Sequence, residues 1–359
     1  MKEFFVRARE WVWLEGDPEK DRSVGLMVSG ILEIVLGILA FSVAMLLLVV
    51  ASSAGLGGMK PSHFWIAMGL LFYLAGWFIV MGLGSMKAKR WARALVLVGA
   101  WVTVFFGTLG LALVLYILPE LHGLMLNSGL IAPAVSMGIL YFVILVLFLL
   151  QVLFPMVAIA FYSLRGVQVT CERLHPAPCW TDKVPLPLLA MALVSIMGSL
   201  SILTGATTNY VVFLFGKIVA GGLGMVIVLA ISVACGYIGW GAFSRKIHAW
   251  WGAYALVLLT SSSMMLTFSE MDMETLYAQM GYTAEQIERL GQYSAFNPAM
   301  LTFISCIWGI MACVYLVWVR DCFYPEKDTT EVKSYARRKA EEEAAEPAAP
   351  RRPRMRLED

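Results

Sequence analysis

Eight apolar stretches, each long enough for a helix to cross a bilayer, recur along this chain, and no other feature limits its fold so tightly. They run from Val24 to Ala51, Phe64 to Gly84, Trp91 to Leu118, Val135 to Leu164, Leu186 to Thr204, Tyr210 to Phe243, Ala249 to Phe268 and Met300 to Arg320. A spanning helix needs about 20 predominantly apolar residues, because no backbone amide is left unpaired in hydrocarbon. Lys60-Pro61-Ser62, Pro119-Glu120, Pro185 and Asn297-Pro298 punctuate the ends. Pro155, inside the fourth stretch, predicts a kink near Gln151, whose carbonyl loses its usual donor. The expected fold is an all-α polytopic transmembrane bundle of about eight spans.

Composition agrees with this reading. Of 359 residues, 60% are hydrophobic and only 14% charged, against about 25% charged in a water-soluble chain. A soluble enzyme, a disordered protein, a disulfide scaffold and a nucleic-acid-binding domain are all poor fits. The formal net charge of +2 conceals a polarised molecule: 24 of the 27 basic residues fall on the side holding both termini, Lys60 and Arg289 on the other, and Lys217 within the sixth stretch. The positive-inside rule makes the first side cytoplasmic. A bacterial inner (plasma) membrane protein with both termini inside is expected, its outer face made acidic by Glu120, Glu270, Asp272, Glu274, Glu285 and Glu288.

The organisation follows. Residues 1–23 are cytoplasmic and mix Phe4, Phe5, Trp11 and Trp13 with Lys2, Arg7 and Arg9, which fits an interfacial helix or a solvated tail. Residues 24–164 form a first four-helix half, 165–185 a cytoplasmic linker, and 186–320 a second half. The latter includes an outside helical hairpin over 269–298, with one helix at Met273–Met280 and a second opening at Thr283. Residues 321–359 are a charged, partly disordered tail. Gly82, Gly84, Lys89 and Ala92 in one basic hairpin recur as Gly239, Gly241, Lys246 and Ala249 in another, all at an offset of 157 residues. A parallel four-plus-four internal repeat is the expectation.

Between the halves runs Thr170-Cys171-Glu172-Arg173-Leu174-His175-Pro176-Ala177-Pro178-Cys179-Trp180-Thr181-Asp182, followed after Lys183-Val184 by Pro185-Leu186-Pro187. This stretch resembles one in uncharacterised bacterial multi-pass integral membrane proteins. There a Cys-Glu segment leads through a Pro-rich turn to Trp-Thr-Asp and a Pro-Leu-Pro helix start. The resemblance implies a bacterial inner-membrane location, and no activity or functional residues.

Two charged residues lie within the stretches, and charge at bilayer depth is the first place to look for function. Glu33 is about ten residues into the first and Lys217 about eight into the sixth from the opposite side, depths of roughly 15 and 12 Å. They are expected to meet near mid-membrane, as a functional pair lining a path or as a structural lock between halves. Alternatively, Lys217 snorkels outward. Gln151 and Asn209 are further candidate partners. Gly216, Ala220 and Gly224, spaced by four, read as a close helix contact or a hinge. Cys171, His175 and Cys179 offer three soft ligands without zinc's usual pair spacing, and Asp182 or Cys322 would have to complete a site. The spans hold no haem-binding histidine and no aspartate, and the chain has neither a His-Glu-x-x-His nor a phosphate-loop motif. No catalytic residue, cofactor or metal is therefore expected. The expected partners are the lipid bilayer and either a membrane protein or further copies of the chain, with no nucleic acid. The functional expectation is a non-enzymatic scaffold, assembly or regulatory protein. The alternative is a transporter or permease of a small or lipid-like solute, with a path between the halves.

Overall fold

The computed structural model describes residues 21–54, 61–127, 133–200, 204–205, 208–284, 287–288 and 298–324. Most of the amino-terminal segment, nearly all of the charged tail and most of the second outside helix lie outside the described residues. Helix α1 (Ser23–Ala54) is followed by α2 (Pro61–Met86), α3 (Arg90–Asn127) and α4 (Pro133–Phe148). The last continues through a π-helical turn (Leu149–Leu153) into α5 (Phe154–Tyr162). The short α6 (Arg165–Leu174) and a 3-10 turn (Trp180–Lys183) make the linker. Then come α7 (Leu186–Ser199), strands β1 (Val212–Leu214) and β2 (Lys217–Val219), α8 (Gly221–Phe243) and α9 (Ile247–Glu270). The small α10 (Met273–Gln279) and α11 (Pro298–Val319) complete the order, with a 3-10 turn over Arg320–Phe323. The chain is a polytopic all-α transmembrane bundle. Among the described residues, seven helices are long and apolar enough to cross a membrane, α4 and α5 counting as one, and α7 is a shorter apolar helix. Large apolar side chains such as Val35, Leu46, Leu70, Phe142, Val226 and Phe303 are exposed on them, as helices facing hydrocarbon require.

Lipid tails supply no hydrophobic drive between helices, so small residues that admit close approach decide the packing. A Cβ on Gly30 would stand 2.6 Å from the Gly82 carbonyl oxygen, and one on Gly37 2.7 Å from Ile79, so α1 and α2 meet on a glycine seam. Helices α7 and α8 meet likewise, with Gly239 against the Ala192 carbonyl and Ile196. One apolar cluster, with Leu26, Met81, Leu97, Tyr162 and Val167, fills the first half. A second, with Leu188, Ala192, Ile238, Ala249 and Val319, fills the other and also takes in Ala94 and Val98 of α3.

The turns joining α2 to α3 and α8 to α9 are built alike. In the first, Ala88 N–H donates to the Ser85 carbonyl at 2.9 Å and Lys89 N–H to the Gly84 carbonyl at 2.9 Å; in the second, Arg245 donates to Ala242 at 3.0 Å and Lys246 to Gly241 at 2.8 Å. Both are Schellman caps, and each puts a residue other than glycine in the left-handed conformation, Ala88 at φ 48° and Arg245 at φ 53°. After each turn, an alanine (Ala92 or Ala249) faces a glycine (Gly84 or Gly241) so closely that a Cβ there would lie 2.5 Å from the alanine's.

The structure departs from the sequence reading in four places. The expected fifth span is a 14-residue helix, α7, about 21 Å long at 1.5 Å per residue. The expected sixth span is helical only from Gly221. Its first third is an antiparallel hairpin pairing Val212 with Val219 and Leu214 with Lys217. The reversal is made by Phe215 and Gly216 at φ 43° and 84°, the two positive values of a type I′ turn. Gly216, Ala220 and Gly224 therefore share no helical stripe: Gly216 is in the turn, Ala220 is extended before α8, and Gly224 packs on the Tyr210 carbonyl. Finally, α3 runs through Pro119 to Asn127, since one proline removes only the bond to the Leu115 carbonyl. The kink expected at Gln151 takes the form of the π-helical turn, where Phe154 N–H reaches back to the Leu149 carbonyl. Gln151 packs there against Gly107.

Candidate functional site at the basic end of the first half

Glu33 and Lys217 are not brought together. Lys217 is exposed at the start of β2. That hairpin is held to α9 by Phe215 N–H to Ser263 Oγ at 2.9 Å and Gly216 N–H to Thr267 Oγ1 at 3.0 Å. Asn209, the other polar candidate nearby, donates through Nδ2 to the Gln279 carbonyl at 3.2 Å.

Glu33 is 3% exposed, and its hydrogen bonds come from neutral groups. Tyr162 Oη donates to Oε1 at 2.9 Å and Ser85 Oγ donates to Oε2 at 3.1 Å, while the two hydroxyls stand 2.7 Å apart. Three elements thus meet on one carboxyl group: α1 supplies Glu33, α2 Ser85 and α5 Tyr162. Among the described residues no ion pair involves Glu33. Its depth also differs from the sequence expectation. The first two turns of α1 overshoot the end of α2 and run beside the linker, where Arg22 N–H donates to Thr170 Oγ1 at 3.2 Å. Glu33 is therefore level with Ser85, next to the last residue of α2, and lies under the basic turn rather than midway across.

Linked to this cluster through Arg93 is a cavity of about 320 Å³ lined by the start of α3, α6, the linker 3-10 turn and the start of α7. Arg93 connects the two features. Its Nε donates to the Tyr162 backbone carbonyl at 3.1 Å, so one residue bonds Glu33 through its side chain and Arg93 through its main chain. Arg90, at the cavity's edge, is paired with Asp182 at 3.0 Å and with Glu172 at 4.0 Å. Asp182 also accepts from Cys179 N–H at 2.8 Å, and Glu172 accepts from Gln168 Nε2 at 2.9 Å. Both carboxylates also act on the neighbouring Arg93 guanidinium, whose value burial lowers. Two buried polar atoms of the lining residues have no hydrogen-bond partner among the described residues: Arg93 Nη2 and Thr181 Oγ1.

Cys171, His175 and Cys179 are not clustered. His175 Nε2–H donates to the Lys87 carbonyl at 2.8 Å, which fixes its tautomer. Cys171 is buried on the first-half core. Burial pushes its thiol up to about 11, opposed in part by the nearby Arg93 guanidinium. Among the described residues no group of three His, Cys, Asp or Glu side chains stands close enough to hold a metal ion.

Sequence reasoning found Glu33 by its charge and missed Ser85 and Tyr162, which carry none. Arg90 and Arg93 register in the sequence only as a topogenic cluster, and Thr181 only as part of the linker. The position of Arg93, one turn into an apolar helix, was the available signal. No family model matches the chain, and neither a curated relative nor a solved structure does.

Proposed function

We propose that this chain is a non-enzymatic integral membrane protein that serves as a scaffold, assembly or regulatory partner in a bacterial plasma membrane, with both termini cytoplasmic. We read it as two four-helix halves related by duplication. The observation that carries the reading is the state of Glu33. Its carboxyl group is buried in a three-helix seam and accepts a hydrogen bond on each oxygen from a neutral hydroxyl, which is how a membrane protein locks helices rather than how it lines a conduit. Other polar groups act the same way: Trp250 Nε1–H donates to the Leu316 carbonyl at 2.6 Å and Tyr315 Oη to the Pro187 carbonyl at 2.6 Å. The matching turns at an offset of 157 residues support the duplication. They also favour the second reading, a transporter or permease of a small or lipid-like solute with its path between the halves.

Reconstitution separates the two readings. Vesicles containing the wild-type chain are expected to hold an imposed pH gradient as long as protein-free vesicles do, with Glu33→Gln identical. A proton or solute flux that depends on Glu33 overturns the scaffold reading. Deleting residues 332–359 is expected to shrink the native membrane complex on blue-native gels, and an unchanged complex counts against the tail as a contact surface. For orientation, Lys89→Cys and Lys217→Cys should be labelled by impermeant maleimide from opposite sides, and labelling from one side overturns the topology.

A further inference from the structure

We propose that Glu33 is held as the neutral acid, its proton closing a ring of three hydrogen bonds with Ser85 and Tyr162, and that this proton latches α1 and α2 to the rest of the bundle. The proposal deepens the reading of Glu33 as a lock between helices and rests on it. Three oxygen contacts join the side chains: Tyr162 Oη to Glu33 Oε1 at 2.9 Å, Ser85 Oγ to Glu33 Oε2 at 3.1 Å, and Tyr162 Oη to Ser85 Oγ at 2.7 Å. Oxygens this close need a hydrogen between them, and the two hydroxyls supply two. If Glu33 is a carboxylate that accepts both, the shortest contact has none, and two sets of lone pairs face each other. One Tyr162 hydrogen shared between Glu33 and Ser85 would lengthen both contacts, and both are short. A proton on Oε1 supplies the missing hydrogen and reverses one bond: Glu33 donates to Tyr162, Tyr162 to Ser85, and Ser85 to Oε2. Ser29 also reaches Tyr162, but it adds one contact and brings one hydrogen, so the shortfall is unchanged.

The surroundings agree with the count. An ionised carboxylate taken out of water needs a cation beside it, and the neutral acid does not. Helix α1 brings Ser29 to the cluster, α2 brings Ser85 and α5 brings Tyr162, none of them charged. Arg93 of α3 turns its Nε to the Tyr162 backbone carbonyl, and Cys171 of α6, in the same apolar cluster, is a protonated thiol. Among the described residues, Lys87, Lys89, Arg90 and Arg93 form no ion pair with Glu33. Position makes the ring a latch. Helices α1 and α2 are joined by their glycine seam, and the ring ties both to α5, near the place where a Cβ on Gly25 would stand 2.8 Å from Phe161. Removing the proton takes away the third hydrogen and leaves an unpaired charge in the seam.

The test is infrared difference spectroscopy of the full chain in detergent, wild type minus Glu33→Gln, at about pH 7, where ordinary carboxyls are ionised. A carboxylic-acid C=O band is expected in the wild type and lost in Glu33→Gln; a difference confined to carboxylate bands overturns the proposal. Tyr162→Phe removes the acid's acceptor and should move the band to higher frequency. If Glu33→Gln fails to fold, that shift makes the assignment, and an unmoved band overturns it. An acid protonated in the fold and ionised in the unfolded chain contributes stability that is lost as the pH rises. As the band disappears with rising pH, the wild-type unfolding midpoint should therefore fall relative to that of Glu33→Gln, and parallel profiles across that loss overturn the latch. The lock and the proton fail separately: a Glu33→Ala variant as stable as wild type defeats the lock, whereas a missing acid band with a destabilised Glu33→Ala defeats the proton alone.

Discussion

The turn after α2 and the turn after α8 share their cap, their left-handed residue and their glycine-on-alanine contact, yet what lies beneath them is chemically opposite. Under the first are Glu33, Ser85 and Tyr162. At an offset of 157 from Ser85 and Tyr162 stand Ala242 and Val319, both completely buried in the second apolar cluster. The helix partner of Gly82 is Gly30 and that of Gly239 is Ala192; carrying the same shift of 162 to Glu33 leads to Ser195. Two turns of like geometry are thus packed over a carboxyl group and two hydroxyls in one half, and over Ala242 and Val319 with the partly buried Ser195 in the other. The apolar version shows that such a turn needs no buried acid, so the carboxyl group of the first half is one of two ways of packing the same kind of turn. Arg93 and Trp250, again 157 apart, repeat the contrast. Each donates a side-chain N–H to a carbonyl of the helix packed beside it, but only Arg93 brings a charge.

The largest expected effect tests whether the two seams are equally tight. A Cβ on Gly82 would stand 2.5 Å from the Gly30 carbonyl oxygen, a backbone atom that cannot move aside. One on Gly239 would stand 3.0 Å from the Ala192 carbonyl and 2.8 Å from the Ile196 side chain, which can rotate. Gly82→Ala should cost about 3 kcal/mol and Gly239→Ala about 1 kcal/mol, read by denaturant unfolding in detergent. Equal losses would mean that the seams are equally tight and would weaken the contrast.

Next comes the buried acid. Glu33→Ala removes the acceptor of Ser85 and one of the two acceptors within reach of Tyr162, and leaves a gap in the seam, and should cost about 2 to 3 kcal/mol. Ser195→Ala, at the corresponding place, should stay within about 0.5 kcal/mol. Glu33→Gln keeps hydrogen bonding and should fall between them. If Ser195→Ala proves as damaging as Glu33→Ala, the second half carries a polar seam of its own and the asymmetry fails.

The contrast was only partly legible in the sequence. Length and apolarity reveal spans because the bilayer imposes them, and the glycine-lysine-alanine spacing revealed the two turns because a Schellman cap and a close helix contact restrict those positions. The hairpin was missed because apolar runs do not distinguish strand from helix. Val211-Val212-Phe213-Leu214, then Phe215-Gly216, then Ile218-Val219 after Lys217 reads equally as lipid-facing helix. The β-branched flanks of a Phe-Gly pair were the clue. That error, with the misjudged depth of Glu33, created the Glu33–Lys217 pairing. Glu33's true partners were illegible for a different reason: a serine near a helix end and a tyrosine near another become a site only when three helices converge.

A smaller effect tests the shared cap. Ala88 adopts a left-handed conformation that glycine takes without penalty, so Ala88→Gly should stabilise by about 0.5 to 1 kcal/mol. Arg245→Gly relieves the same strain but loses the Arg245 Nη2–H bond to the Lys183 carbonyl at 2.6 Å, and should come out near neutral. Stabilisation by both would mean that this bond contributes nothing. Destabilisation by Ala88→Gly would mean that the left-handed cap is not strained.

The smallest effect leaves stability untouched and reports how well the linker seals the first half. Cys171 lies in the first-half core with its thiol held near 11 by burial, whereas Cys179, eight residues on, is partly exposed. The thiolate is the reactive form. At neutral pH the Cys171 thiol is protonated as well as covered, so it should be alkylated far more slowly than Cys179 in the folded protein, with mass spectrometry after limited iodoacetamide treatment reading the two sites. The sign with pH is fixed by the raised value. Labelling of Cys171 should climb steeply as the pH rises toward 11, whereas an ordinary thiol reaches its plateau well below that. Equal rates at neutral pH would mean that α6 leaves the core open, and the polar seam around Glu33 would then lie beneath a loose lid rather than a packed one.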